Sequence, residues 1–412
     1  MIFACRSCGN TALLPILSLG QTPLANALLT QAQLTQPEAM FPLELVFCPQ
    51  CTLVQITETV SPEKLFREYL YYSSFSDTVL RNAREIADRL SVGSGLNKDS
   101  LVVEVASNDG YLLKNYQEKD IPVLGVEPAR NIARVAEGHG IPTVSEFFNV
   151  QLAEELRTQY GGADIIHANN VVAHVADLHG MIAGMVILLK EDGVAVIENH
   201  YVRDMIDHTE FDAIYHEHIC YYSATSFCNL FARHGLVLVD VEHLAVHGGS
   251  LRVYFQRGNG PRSLESHGKV RVQSLLQEES NCGIDKFVFY QNFGEKVERL
   301  RHELLELLEN IKAGGKRIVA YGASAKSTTL LNYYGIGKEM LDFVVDRSTV
   351  KQGRYTPGTH LPILAPGALL AEQPDYVLLL TWNFADEILA QQAEYRKRGG
   401  KFIVPIPELR VV

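Results

Sequence analysis

The chain has 412 residues, enough for two or three domains each with its own core, and its formal net charge of −11 argues against a surface built to bind nucleic-acid phosphates. With 47% hydrophobic and 21% charged residues it has the balance of a water-soluble globular protein. Charge interrupts its apolar runs before they reach bilayer length, so no membrane partner is expected.

The N-terminus runs directly into polar CRSC without the basic, apolar and small-residue succession of a secretory signal, which makes the cytoplasm the expected compartment. Cysteines in that compartment do not form a disulfide framework. Four of the seven lie in two C-x-x-C pairs, Cys5 with Cys8 and Cys48 with Cys51. That spacing can place four thiolates tetrahedrally around Zn²⁺, and because all four positions are then filled the site is structural. Residues 1–75 read as a zinc-binding domain, with a flexible or lid-like excursion expected around QTPLANALL.

Residues 79–92 have the spacing of an amphipathic helix and lead into a second part, 76–260. There LVVEVASNDGYLLKNY predicts a strand, a tight turn and a helix, and IPVLGVEPA predicts a second strand ending at Glu127. An acid at that position accepts hydrogen bonds from ribose hydroxyls, so the unit reads as a Rossmann-type nucleoside site. The turn keeps only Gly110 of a glycine series, which disfavours a pyrophosphate; S-adenosylmethionine, an adenosine without one, fits better. ADIIHANNVVAHV and VAVIENHY predict two more strands with a helix over 178–189 between them, and LVLVDVEHL with LRVYFQR an antiparallel pair. A mostly parallel sheet closed by such a pair is the class I methyltransferase arrangement. The candidate cofactor contacts are Glu104, Asn108, Asp109, Gly110, Glu127, Asn169 and Asn170.

The third part, 261–412, contains a long heptad-like helix over roughly 286–311 and then a second strand, turn and helix in KRIVAYGASAKSTTLLNYYG. MLDFVVDRS follows as a strand ending in Asp346. This is an α/β chain with two Rossmann-like domains. GASAKS is too short for a P-loop, but its small residues, helix start and Lys326 suit a diphosphate. Tyr321, Ser324, Lys326 and His247 are the candidate substrate contacts.

These segments, with EVASNDGYLL, NNVVAHV, EFDAIYHEHICYYS, HGGSLRVY and TWNF in this order, resemble the sugar C-methyltransferases of deoxysugar pathways over nearly the whole chain. The resemblance implies an enzyme that uses S-adenosylmethionine and a structural Zn²⁺ to methylate C3 of a nucleotide-linked 4-keto-6-deoxyhexose, usually dTDP-linked, as a monomer or small homo-oligomer. Two positions depart from the pattern: Ala106 replaces a first-motif glycine, and Ser327 stands where a glycine is expected after the lysine.

Such chemistry requires removal of a proton beside a carbonyl and stabilisation of the enolate oxygen. His218 is the expected base, since an imidazole titrates near working pH, with Glu217 as its neighbour. Tyr215 is either the donor to the C4 oxygen or the base itself. His174 and Tyr72 are second-line donors. Two other readings compete: a nicotinamide-dependent oxidoreductase, disfavoured by the missing pyrophosphate glycines, and a zinc-ribbon scaffold or nucleic-acid-binding protein, disfavoured by the acidic balance.

Overall fold

Residues 3–69, 71–258 and 267–412 are described by a computed structural model. β1 (Leu14–Pro23), β2 (Met40–Phe47) and β3 (Val54–Ile56) pair antiparallel beside the cysteine pairs. Alternation sets their inner face: Leu43, Leu45 and Phe47 of β2 are all buried.

The central sheet begins with parallel β4 (Val102–Val105), β5 (Val123–Val126), β6 (Thr143–Val144), β7 (Ala163–Asn169) and β8 (Leu189–His200). The next strand, β9 (Cys220–Tyr221), leaves that sheet and pairs with β3, making the N-terminal sheet four-stranded. β10 (Leu236–Leu244) and β11 (Ser250–Arg257) return as an antiparallel hairpin, giving seven strands in the order β10-β11-β8-β7-β4-β5-β6. The expected methyltransferase topology is the one found.

The C-terminal sheet has parallel β12 (Ile318–Tyr321), β13 (Val344–Val345), β14 (Ile363–Leu364), β15 (Tyr376–Leu379) and β16 (Lys401–Val404), with antiparallel β17 (Arg410–Val411) at its edge. The order β14-β13-β12-β15-β16-β17 reverses direction at β12, as the central order does at β4. Loops diverge at such a reversal and leave a crevice at the carboxyl ends of the strands.

Two expectations need correction. The long helix spans Phe293–Ala313 rather than starting at Lys286, because Lys286 is extended and Phe287–Phe289 forms a separate 3-10 turn. The excursion around QTPLANALL is pinned rather than lid-like: Thr328 Oγ1 donates to the Ala25 carbonyl at 2.8 Å, and Leu29 bridges to Tyr355. Among the described residues no helix is long and apolar enough to cross a membrane.

The ligand atoms of Cys5, Cys8, Cys48 and Cys51 lie within 4.8 Å of one another. Four clustered sulfurs are the donor set of a closed tetrahedral zinc site, so the residues fit the ion. Gln55 Nε2 donates to Cys5 Sγ at 3.1 Å and Asn10 Nδ2 to Cys48 Sγ at 3.7 Å, polar contacts that orient and stabilise thiolates. Gln55 belongs to β3, so the metal site and the strand that receives β9 share a residue. Cys48→Ser is therefore expected to reduce zinc from one ion per chain to none and to lower the melting temperature by about 2–4 °C per kcal/mol of lost coordination, checked by metal analysis and calorimetry.

Candidate active site

One cavity of about 590 Å³ lies where the carboxyl ends of the central and C-terminal sheets face each other, roofed by residues of the N-terminal domain. Its size and largely apolar wall suit a small-molecule site.

On the central side β4 runs into a turn in which Ala106 and Asn108 have φ of 52° and 51° and Gly110 has φ 80°. The Asn108 N–H donates to Glu127 Oε2 and the Ala129 N–H to Oε1, both at 2.8 Å. Burial pushes the Glu127 carboxyl up to about 7 against the pull of those two donors. Asn108, Glu127, Asn169 and Asn170 line the cavity, and the buried Asn169 Oδ1 has no partner among the described residues. An acceptor left without a donor and a carboxylate with spare lone pairs, beside apolar Val126, Phe148 and Met181, fit an adenosine-bearing cofactor.

Three expected cofactor contacts lie off this wall. Glu104 points into the core, where burial and then Asp109 push its carboxyl well above the carboxylate range. Asp109 Oδ2 accepts from the Ser74 N–H at 3.3 Å. Gly110 serves packing, since a Cβ there would sit 2.7 Å from Ile141 Cγ1.

Between the two sheets, the Tyr215 hydroxyl and His218 Nε2 are 2.7 Å apart, and His218 Nδ1 lies 3.1 Å from the Ala213 carbonyl. A carbonyl can only accept, so Nδ1 carries the proton and Nε2 accepts from Tyr215. Burial, followed by the neighbouring His174 and His200, pushes the His218 imidazole well below its usual range. Burial and then Glu217 push the Tyr215 phenol well above its own. Both groups are therefore neutral at rest. The His174 ring sits edge-on to His218 with centroids 4.8 Å apart, and burial brings its imidazole down to about 4.

Glu217 does not orient His218. Neighbouring side chains on this segment point apart: Glu217 accepts from Asn26 Nδ2 at 2.8 and 2.9 Å and from the Tyr69 hydroxyl at 2.9 Å, and burial pushes it up to about 7. Tyr72 also stands off the cavity, its ring stacked on Phe75; Tyr69 and Tyr71 line the wall instead. Asn26, Tyr69, His200 and Lys351 all reach the cavity wall unforeseen. Asn26 lies 191 residues from the glutamate it binds, and local sequence carries no signal for such a pairing.

On the C-terminal side Gly322, at φ 99°, passes so close to Thr381 that a Cβ would lie 2.5 Å from its Cγ2. Asp346 Oδ2 accepts from the Ala323 N–H at 2.8 Å, fixing the turn much as Glu127 fixes the first one. Ser327, in place of the expected glycine, turns its hydroxyl inward to the Gly322 carbonyl at 2.6 Å and pairs with Ser324 in a capping box. Ser324, Lys326, Asn383 and Phe384 line the cavity, with Lys326 Nζ 4.4 Å over the Trp382 ring. Tyr321 lies on buried β12 away from that wall, and the side chain of His247 lies outside the described residues.

Three family models match stretches of this chain. A model of a zinc binding domain matches residues 5–66, one of a methyltransferase domain residues 77–241, and one of a C-methyltransferase C-terminal domain residues 245–407. The chain is 37% identical over 408 residues to the C-methyltransferase NovU of Streptomyces niveus, across 99% of this chain and 96% of that protein. Similar solved structures include an S-adenosylmethionine-dependent methyltransferase from Clostridium acetobutylicum, with 12% identity, a TM-score of 0.37 and coverage of 48% of this chain and 96% of that one. Another is magnesium protoporphyrin IX methyltransferase from Synechocystis with S-adenosylmethionine bound, with 14% identity, a TM-score of 0.33 and coverage of 43% and 79%.

Glu127→Ala is expected to weaken S-adenosylhomocysteine binding by about 1.5–3 kcal/mol, the cost of a hydrogen bond to a charged group. Because the Glu127 carboxyl titrates near 7 and accepts hydrogen bonds best when ionised, wild-type affinity should fall as pH drops below about 7. Calorimetric titrations on both sides of that pH should show the slope in the wild type and its loss in the variant.

Proposed function

The chain belongs to the C-methyltransferase family, and we propose that it methylates C3 of a nucleotide-linked 4-keto-6-deoxyhexose through an enolate. The observation that carries this reading is the Tyr215–His218 pair, set between a nucleoside turn on one sheet and the Lys326 turn on the other, all on one cavity. S-adenosylmethionine, when bound, supplies an electrophilic methyl sulfonium. A sugar carbon meets such a methyl only after losing its proton, and the α-proton of a ketone is the one a weak base can remove.

In this reading Tyr215 and His218 act as one unit. The Tyr215 oxygen takes the C3 proton while its own proton passes to His218 Nε2, so no phenolate forms in a site where burial disfavours one. The Ala213 carbonyl holds His218 in the accepting tautomer until that transfer. His174, on the cavity wall, is the nearby donor for the developing enolate oxygen. Lys326 on the Trp382 face and the start of the Ala325–Tyr334 helix supply positive potential for the diphosphate, and dTDP is the nucleotide that the family resemblance implies. The closed zinc site takes no part in the chemistry.

In deuterium oxide the wild type should exchange the C3 hydrogen of a dTDP-4-keto-6-deoxysugar and methylate it when S-adenosylmethionine is added. His218→Ala and Tyr215→Phe should each lower both rates by roughly 10² to 10⁴, the usual contribution of acid–base catalysis. Direct abstraction by His218 would instead leave exchange nearly intact in Tyr215→Phe. Absence of methyl incorporation across a panel of dTDP-, GDP- and CDP-linked ketosugars would refute the substrate assignment.

A further inference from the structure

C-methylation of a neutral ketosugar leaves one surplus proton per turnover: the C3–H bond breaks, the C3–CH₃ bond forms with the sulfonium's carbon, the sulfur keeps the electron pair, and H⁺ must leave. Tyr215 and His218 line a cavity where burial disfavours a lasting imidazolium, so they need a route by which to reset. A chain of three side chains leads outward from that wall. His200, at the end of β8, lines the cavity and places Nε2 at 2.7 Å from Glu210 Oε2. The other carboxylate oxygen, Oε1, lies 3.3 Å from His208 Nδ1. Side-chain exposure runs from 8% at His200 through 1% at Glu210 to 46% at His208.

We propose that His200, Glu210 and His208 form the proton exit of the active site. The reading rests on the proposed function, since only a reaction that strips a C–H proton inside the cavity needs such an exit. His200 takes a proton, carried by a water from Tyr215, at the ring nitrogen that does not face Glu210. It releases its Nε2 proton to Glu210; His208, in the tautomer protonated at Nε2, takes one from Glu210 at Nδ1 and loses the Nε2 proton to solvent, which returns it to the tautomer that donates to Glu210, and exchange through water moves the remaining His200 proton from Nδ1 back to Nε2. No electrons move and the proton count balances.

Three features support the assignment. Glu210 is built to remain an acceptor: burial would raise its carboxyl, but the hydrogen bonds from His200 and His208 hold it down at about 2. It is buried, with Gly248 packed so closely that a Cβ there would lie 2.7 Å from its Oε2, and the side-chain partners of its two oxygens are its two histidines. His200 also influences the charge on His218, placing the head of the chain within electrostatic reach of the acid–base pair.

The test compares wild type, Glu210→Gln and His208→Ala, each first shown to bind S-adenosylhomocysteine. His208 is half exposed, so its replacement leaves the core alone. Both variants are expected to slow C3 hydrogen–deuterium exchange and methylation by about tenfold to a hundredfold. Added imidazole should restore His208→Ala, where the missing carrier faces solvent, and leave Glu210→Gln slow. Wild-type rates in both folded variants overturn the relay while the proposed function stands; so does a slow His208→Ala that imidazole leaves unchanged, which would mark a merely structural role. A wild type that neither exchanges nor methylates nucleotide ketosugars overturns the substrate reading and the relay with it.

Discussion

The site hangs on a short main-chain union between segments far apart in the chain: β9 pairs with β3 at Val54–Tyr221 and Gln55–Cys220. The peptide groups here are buried, and buried backbone must be paired. By joining the N-terminal sheet, residues 210–223 stop being an ordinary loop of the central domain. The Ile219 N–H donates to the Ala173 carbonyl at 2.8 Å, which keeps the segment tied to the central domain as well. From the third domain, Trp382 Nε1 donates to Asp212 Oδ2 at 2.7 Å and Thr329 Oγ1 to the Ile214 carbonyl at 3.0 Å. The Tyr215–His218 pair is thus held from three sides, and a shift of any domain would move it. The cysteine cluster reaches the same segment through one strand, since Gln55 of β3 donates to Cys5 and pairs with Cys220.

Burial governs the electrostatics of the same region. Burial lifts the carboxyls of Glu127 and Glu217 to about 7 and that of Asp212 to about 6, and it depresses the imidazoles of His174 and His218. Burial thus weakens the charged form of each of these groups and strengthens the effect of whatever charge remains in the cavity. Glu210 is the exception, held ionised by its two histidines. It leaves a fixed anion close to the cavity, with Lys326 near enough to favour its charge.

Much of this was legible in the sequence, because short-range chemistry wrote it. The two C-x-x-C pairs specified four clustered sulfurs; the strand, turn, helix and acid succession specified two Rossmann-like sheets; and EFDAIYHEHICYYS pointed to a segment whose Tyr215 and His218 line the cavity. These signals are local: a strand's pleat, a turn's handedness and a helix cap depend on residues a few positions apart.

Only the tertiary structure decided which groups on those elements face the cavity. Strand alternation sends Glu104 into the core, and neighbouring side chains on the reactive segment part company, so that Glu217 meets Asn26 and Tyr69 while His218 meets Tyr215. Tyr69 rather than Tyr72 reaches the wall for a similar reason, as the turn over Ser73–Phe75 carries Tyr72 onto Phe75. Partners such as Asn26 and Glu217, or Trp382 and Asp212, are 191 and 170 residues apart, and nothing in either neighbourhood encodes the other. What brings them together is a continuous hydrophobic cluster that runs through all three domains, a property of the summed apolar surface and the sheet topology rather than of any motif.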